Sequence, residues 1–385
     1  MLFPDAERTD ASPKRATETD IAFLDRCSWA SAELVRQLLN SCIANFPADD
    51  APELVARLRS GDARHFRSAS FELLLHAYML RLGFMLTPHP LLSNGSAARP
   101  DFLVECPDGR KLYVEAVCAS DNDGRDVAAE ARKAVALQVL DAVAHPAFMV
   151  DIDSEGDPDT QPRGRRLANA VVTWLDRLDP DELLACLASE GREALPVLTW
   201  SHEGWLVRVR PIPMNKEARG QSRRLIGIRN FGAGWIDGWT PIRDAVTFKA
   251  AKYGDLELPL VVAVNVDAFN LDPIDEAQAL FGQEQFVFNG VDPEPRLERA
   301  PNGAWHGPAG PRGLRASGAW LFNHVTPYTL ARRRRHTLYV NPWAAHQVPE
   351  SFLSIPHATV IEGFLRRTDG TGIGEALGLE ATWPE

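Results

Sequence analysis

Two acids give the sequence a chemical reading. In "RPDFLVECPDGRKLYVEAV", Asp101 and Glu115 stand on two strand-like segments joined by Cys106-Pro107-Asp108-Gly109-Arg110. Proline, aspartate and then glycine fit a three-residue hairpin loop with the glycine in the left-handed conformation. Cys106 then opposes Arg110, and the same register sets Asp101 opposite Glu115. Opposed residues on antiparallel strands share a face, with Cβ atoms about 4.5–5.5 Å apart. Two like charges so placed repel. A divalent cation between them would remove that cost, because hard ions such as Mg²⁺ take carboxylate oxygens. A two-residue loop would shift the register by one and send the acids to opposite faces. Glu72 is a third acid, set in the apolar stretch "FELLLHAYMLRLG", with His76 one helical turn on.

Each has a plainer reading. Asp101 would cap a turn after Pro100, Glu72 would favour its helix N-terminus, and His76 would be a hydrogen-bonded helix histidine. Glu115 is harder to dismiss. It is flanked by Tyr113, Val114, Ala116 and Val117, and an unpaired charge in a buried strand is expensive.

The elements that must position these acids follow from periodicity. Residues 20–60 carry apolar positions at helical spacing. Ser68 or Ser70 would cap the helix bearing Glu72, which stops at Gly83. A short strand, "FMLTPHPLL", precedes the hairpin. A helical segment at 125–145 and the strand "AFMVDID" follow it, giving α-β-β-β-α-β over 68–153. Further on, "DAVTFKAAKYGDL" reads as a helix and "LPLVVAVNV" as a central strand.

The order of helix glutamate, Pro-Asp opening a strand, and "YVEAV" on the partner strand resembles the PD-(D/E)XK nuclease superfamily. It looks especially like an uncharacterised bacterial group with "FELLLH…LGF…RPDFLV…YVEA" segments. The resemblance is clearest over 68–153 and extends more loosely through "KAAKYGDLELPLVVAVN" and "NPWA". It implies an α/β fold with a restriction-endonuclease-like αβββαβ core, a mixed sheet flanked by helices, an N-terminal helical cap and an elaborated C-terminal half. It also implies that Asp101, Glu115 and the carbonyl of Ala116 hold Mg²⁺ (or Mn²⁺), that Glu72 binds metal directly or through water, and that the substrate is DNA. The chain departs from the pattern at Val117, where the superfamily usually has lysine. Lys249 and Lys252 are the first candidates to replace it, with Lys111 and Lys133 behind them. Failing all of these, the fold would be inactive and would bind nucleic acid or a protein partner.

A net charge of −11 argues against indiscriminate nucleic-acid binding but leaves room for a local basic groove. Seven Arg or Lys against one Glu between Trp205 and Asn230 nominate Arg208, Arg210, Arg219, Arg223 and Arg224 for the backbone of a nucleic acid, and Arg332–Arg335 form a second run. Solvated faces are the commoner fate of such runs. Five cysteines without a C-x-x-C pair read as reduced thiols of a cytoplasmic protein. No apolar run approaches the roughly 20 residues of a membrane span. The expected organisation is a disordered tail over 1–19, a helical segment over 20–66, a core over 67–270 with an insertion at about 155–240, and a Gly/Pro/Trp-rich extension over 271–385. Oligomeric state is left open, a homodimer included.

Overall fold

The computed structural model describes residues 1–15, 18–120, 127–220, 224–231, 238–267, 271–287, 296–331 and 336–384. The chain divides into two compact units. The first comprises Met1–Ser12, Thr19–Asp123 and Ile236–Glu385; the second comprises Pro13–Glu18 and Gly124–Trp235.

The first unit begins with helices α1 (Asp20–Arg26), α2 (Ala30–Ala44), α3 (Ala51–Arg59) and α4 (Ala63–Arg81). Asp62, whose side chain accepts the Arg64 amide, caps α4. The expected caps Ser68 and Ser70 lie inside this helix, where their hydroxyls donate back to the His65 and Arg67 carbonyls. The helix therefore starts about two turns earlier than its apolar run suggests, and Glu72 sits in its middle. Strands β1 (Met85–Pro88), β2 (Phe102–Glu105) and β3 (Lys111–Ser120) follow. The β2–β3 loop has three residues: the Cys106 amide donates to the Arg110 carbonyl, and Gly109 takes φ +82°. Phe102 opposes Val114 and Glu105 opposes Lys111, the register expected from the turn.

The chain then leaves for the second unit. There α5 (Val127–Asp141), α6 (Gly164–Leu175) and α7 (Pro180–Glu190) accompany β4 (Phe148–Glu155), β5 (Leu198–His202), β6 (Trp205–Pro213) and β7 (Ile226–Phe231). The strands form their own sheet in the order β5-β6-β4-β7. Gly164 lets α6 close on α5, since a Cβ there would meet the Val139 Cβ at 2.8 Å.

On its return the chain forms α8 (Thr240–Lys252), β8 (Leu260–Asp267) and α9 (Pro273–Phe281). The two-stranded ribbons β9 (Glu284–Val287) with β10 (Arg296–Arg299), and β11 (His306–Gly307) with β12 (Gly310–Pro311), come next. Then follow β13 (Gly318–Asn323), β14 (His336–Val340), β15 (His357–Ile361) and β16 (Phe364–Thr368). The main sheet is mixed and eight-stranded, in the order β1-β2-β3-β8-β13-β14-β15-β16. β8 lies parallel to both β3 and β13. Its run of valines, buried on both sides, is what a central parallel strand requires. Helices cover both faces: one core packs α4 residues against Val114, Val261 and Trp320, and the other packs Ile242, Val246 and Tyr253 against Val262, Val264 and Leu321.

Two expectations need correction. The helix and strand at 127–141 and 148–155 belong to the second unit, so the α-β-β-β-α-β order of the main sheet is completed by α8 and β8 instead. Nor is 1–19 a loose tail among its described residues. Leu2 and Phe3 are buried in the first core, and their amides donate to Asn40 Oδ1. Phe3→Ala is expected to cost about 3–5 kcal/mol, the usual penalty for emptying a buried aromatic position, measured as a loss of unfolding free energy in urea.

Candidate functional site

Strand alternation decides what Glu115 meets. Tyr113, Glu115 and Val117 point to the face covered by α8, whereas Val114 and Ala116 point to the α4 face. Glu115 is 1% exposed. The last turn of α8 and the residue after it satisfy its charge. Lys249 Nζ lies 2.5 Å and Lys252 Nζ 3.2 Å from Oε1. The Tyr253 hydroxyl donates to Oε2. Burial and the Glu115 charge both push the Tyr253 phenol far up, so it stays a donor.

Asp101 precedes β2. Its Oδ2 accepts the Ala116 amide at 2.6 Å, which ties it to the strand that carries Glu115. Withdrawal of the carboxyl from water, and then the negative charges of Glu115 and Glu72, raise its pKa well above the ordinary carboxylate range, against the smaller pull of the Ala116 amide and Lys249. Glu72, on the other face, is 3% exposed and pairs through Oε2 with Arg57 at 2.5 Å. Burial raises its pKa despite that arginine. Its Oε1 is buried without a hydrogen-bond partner. The three acids, Val117, Lys249 and Lys252 line one cavity of about 510 Å³, with Arg57, Arg64 and Arg67 also in its wall.

The structure thus brings together Glu72, Asp101, Glu115, Ala116, Lys249 and Lys252. It places other candidates elsewhere. Lys111 pairs with Glu105 at 2.8 Å. Lys133 belongs to the second unit, with Asp157 as its partner. His76 is wedged between Phe46 and Phe102, and burial pushes its pKa down to about 4, so it is a neutral packing residue.

The nominated arginines also fall in the second unit, and each described one faces an acid. Arg208 meets Glu155 at 3.0 Å, Arg210 meets Glu193 at 2.9 Å, Arg219 meets Asp181 at 2.6 Å and Arg224 meets Asp141 at 3.6 Å. The expected uncompensated basic groove is therefore not what these four form. Arg223 and Arg332–Arg335 lie outside the described residues.

Two contributors escaped the sequence reading. Tyr253 carried a signal, because 249, 252 and 253 share one face of a helix. Arg57 carried none: nothing local ties α3 to Glu72.

Among the described residues, no three His, Cys, Asp or Glu side chains are grouped to hold one metal ion. Glu72 as a direct third ligand beside Asp101 and Glu115 is therefore not built. Mg²⁺ commonly takes one or two carboxylates and completes its shell with water and phosphate oxygens. Asp101 and Glu115 are two carboxylates on one cavity, and Glu72 Oε1, without a hydrogen-bond partner, has His89 Nε2 at 3.9 Å. All five cysteines are free thiols, and among the described residues no helix is long and apolar enough to cross a membrane. Comparison with family models, curated proteins and solved structures returns no match.

Proposed function

We propose that the chain is a metal-dependent phosphodiesterase acting on nucleic acid, in the first instance a DNA endonuclease of the PD-(D/E)XK type, with a restriction-endonuclease-like core formed by α4, β1–β3, α8 and β8. The observation that carries this reading is the cavity in which buried acids face Lys249 and Lys252. Val117 leaves the strand position beside Glu115 without a cation, and α8, the helix covering the same face, supplies two.

Asp101 and Glu115 would hold Mg²⁺ or Mn²⁺, with the Ala116 carbonyl and a water on Glu72 as further donors. When bound, such an ion lowers the pKa of water and stabilises charge on the phosphoryl oxygens. The protein's own groups do the rest. Glu115 holds the Lys249 ammonium beside the cavity, where it can neutralise a pentavalent phosphate. Tyr253 fixes the rotamer of Glu115 through Oε2. Arg57, Arg64 and Arg67 line the cavity wall, Arg57 paired with Glu72 and Glu53 and Arg64 with Asp62, so a polyanion would share these guanidinium groups with acids already in place.

Plasmid and linear DNA should be cleaved with Mg²⁺ or Mn²⁺ and left intact with EDTA or by Asp101→Ala. A second reading, an inactive protein of the same fold that binds nucleic acid or a protein partner, draws on one observation: both Glu115 oxygens already have protein partners. Equal inertness of wild type and Asp101→Ala, with DNA binding retained, would select it.

A further inference from the structure

Glu115 presents two oxygens to three donors. Oε2 accepts the Tyr253 hydroxyl, and Oε1 is shared by the ammonium groups of Lys249 and Lys252. A divalent cation arriving at Oε1 would meet two positive charges already in place, so it must displace at least one. The lysines are not equivalent. Lys249 makes the shorter contact and its side chain is 18% exposed, whereas Lys252 is at 3.2 Å and 35% exposed. Lys252 also lies over the Tyr253 ring, 5.0 Å from its centroid, at the very end of α8. Its longer contact and greater exposure make it the easier of the two to displace, at the loss of its place over the Tyr253 ring, and the cavity it lines is where an anionic substrate would enter.

We infer that Lys252 is a phosphate-binding residue that exchanges Glu115 for a substrate phosphate, so that nucleic acid and the divalent cation bind cooperatively. The inference rests on the phosphodiesterase reading and adds a division of labour to it. Lys249 stays on Glu115 beside the reacting centre, and Lys252 moves. Without substrate, Lys252 competes with the metal for Oε1. With substrate, the phosphate holds Lys252 and the competition is relieved. By linkage the effect is mutual: the cation must tighten the nucleic acid by the same factor.

The test is Mn²⁺ binding to the full chain, followed by electron paramagnetic resonance, with and without a phosphorothioate-linked DNA oligonucleotide. For the wild type, the oligonucleotide is expected to tighten Mn²⁺ about tenfold, within the usual range of coupling between sites. Lys252→Met should bind Mn²⁺ alone about as tightly as the wild type does with oligonucleotide, with its coupling reduced to below about threefold. Lys252→Arg should keep the coupling. Equal Mn²⁺ affinity of wild type and Lys252→Met in the absence of DNA would overturn the exchange and leave the nuclease proposal standing. Absence of Mn²⁺ binding in every protein, with or without oligonucleotide, would remove the metal-dependent reading itself. Should Lys252→Met fail to fold in a thermal melt, the wild type alone decides: fluorescence anisotropy must show Mn²⁺ tightening the oligonucleotide by the same factor, and a factor of one refutes the inference.

Discussion

Asp101→Asn is expected to lose DNA cleavage by at least two to three orders of magnitude, roughly the loss seen when a single preorganised charge-stabilising group is removed, and yet to melt higher than the wild type in metal-free buffer. The two effects have one cause. Burial and the charges of Glu115 and Glu72 raise the Asp101 pKa in the folded protein. The folded chain therefore holds this proton more tightly than the unfolded chain does. The stability so contributed is fully present below the ordinary aspartate range and is lost as pH rises through the raised value. Asparagine never ionises and escapes that loss. At pH 8 without metal, the melting temperature of the variant should exceed that of the wild type by on the order of 2 °C, and the gap should close at pH 4. Mg²⁺ should restore the wild type and leave Asp101→Asn unchanged, and cleavage by the wild type should rise with pH as Asp101 gives up its proton. A variant that melts below the wild type at pH 8 would show that Asp101 is a structural residue.

Glu115→Gln should do the opposite to stability. It strands two ammonium groups and a buried phenol around a neutral amide. Removing one partner of a buried pair costs about 3–5 kcal/mol. Lys252 is about a third exposed, so water screens part of this and the lower end is expected. Adding Lys249→Met to Glu115→Gln should recover much of the loss, because the stranded charge goes with it. Urea unfolding of the two single variants and the double variant measures this coupling. Cleavage should be absent whenever Glu115 is replaced, which separates the chemical role of the residue from its structural one.

How much of this the sequence disclosed depends on how local each feature is. The β2–β3 hairpin was legible because its register is set by three loop residues, Pro107-Asp108-Gly109, and the turn type is written in them. Lys249 and Lys252 were legible as candidates because the strand position beside Glu115 lacked a cation and a lysine-bearing helix preceded a central strand. The membership of α5 and β4 was not legible. A 15-residue apolar helix followed by an alternating strand has the same pattern whichever sheet it joins, and only non-local pairing decides. The arginines of β6 misled for a related reason. Arg208 and Arg210 stand directly across from Asp153 and Asp151 on β4, a pairing invisible until the register of two distant strands is known.

Inserting the second unit between β3 and β8 has a consequence for how the protein is made. When "YVEAV" leaves the ribosome its apolar strand has β2 on one side and nothing on the other, since its parallel neighbour lies 147 residues ahead. At roughly 5–20 residues per second, that interval lasts about 7–30 s. A bare hydrophobic edge is a template for pairing with another chain. Glu115, still without Lys249 or Lys252, and Lys111 at the start of the strand are charges on the nascent edge that would oppose such a partner.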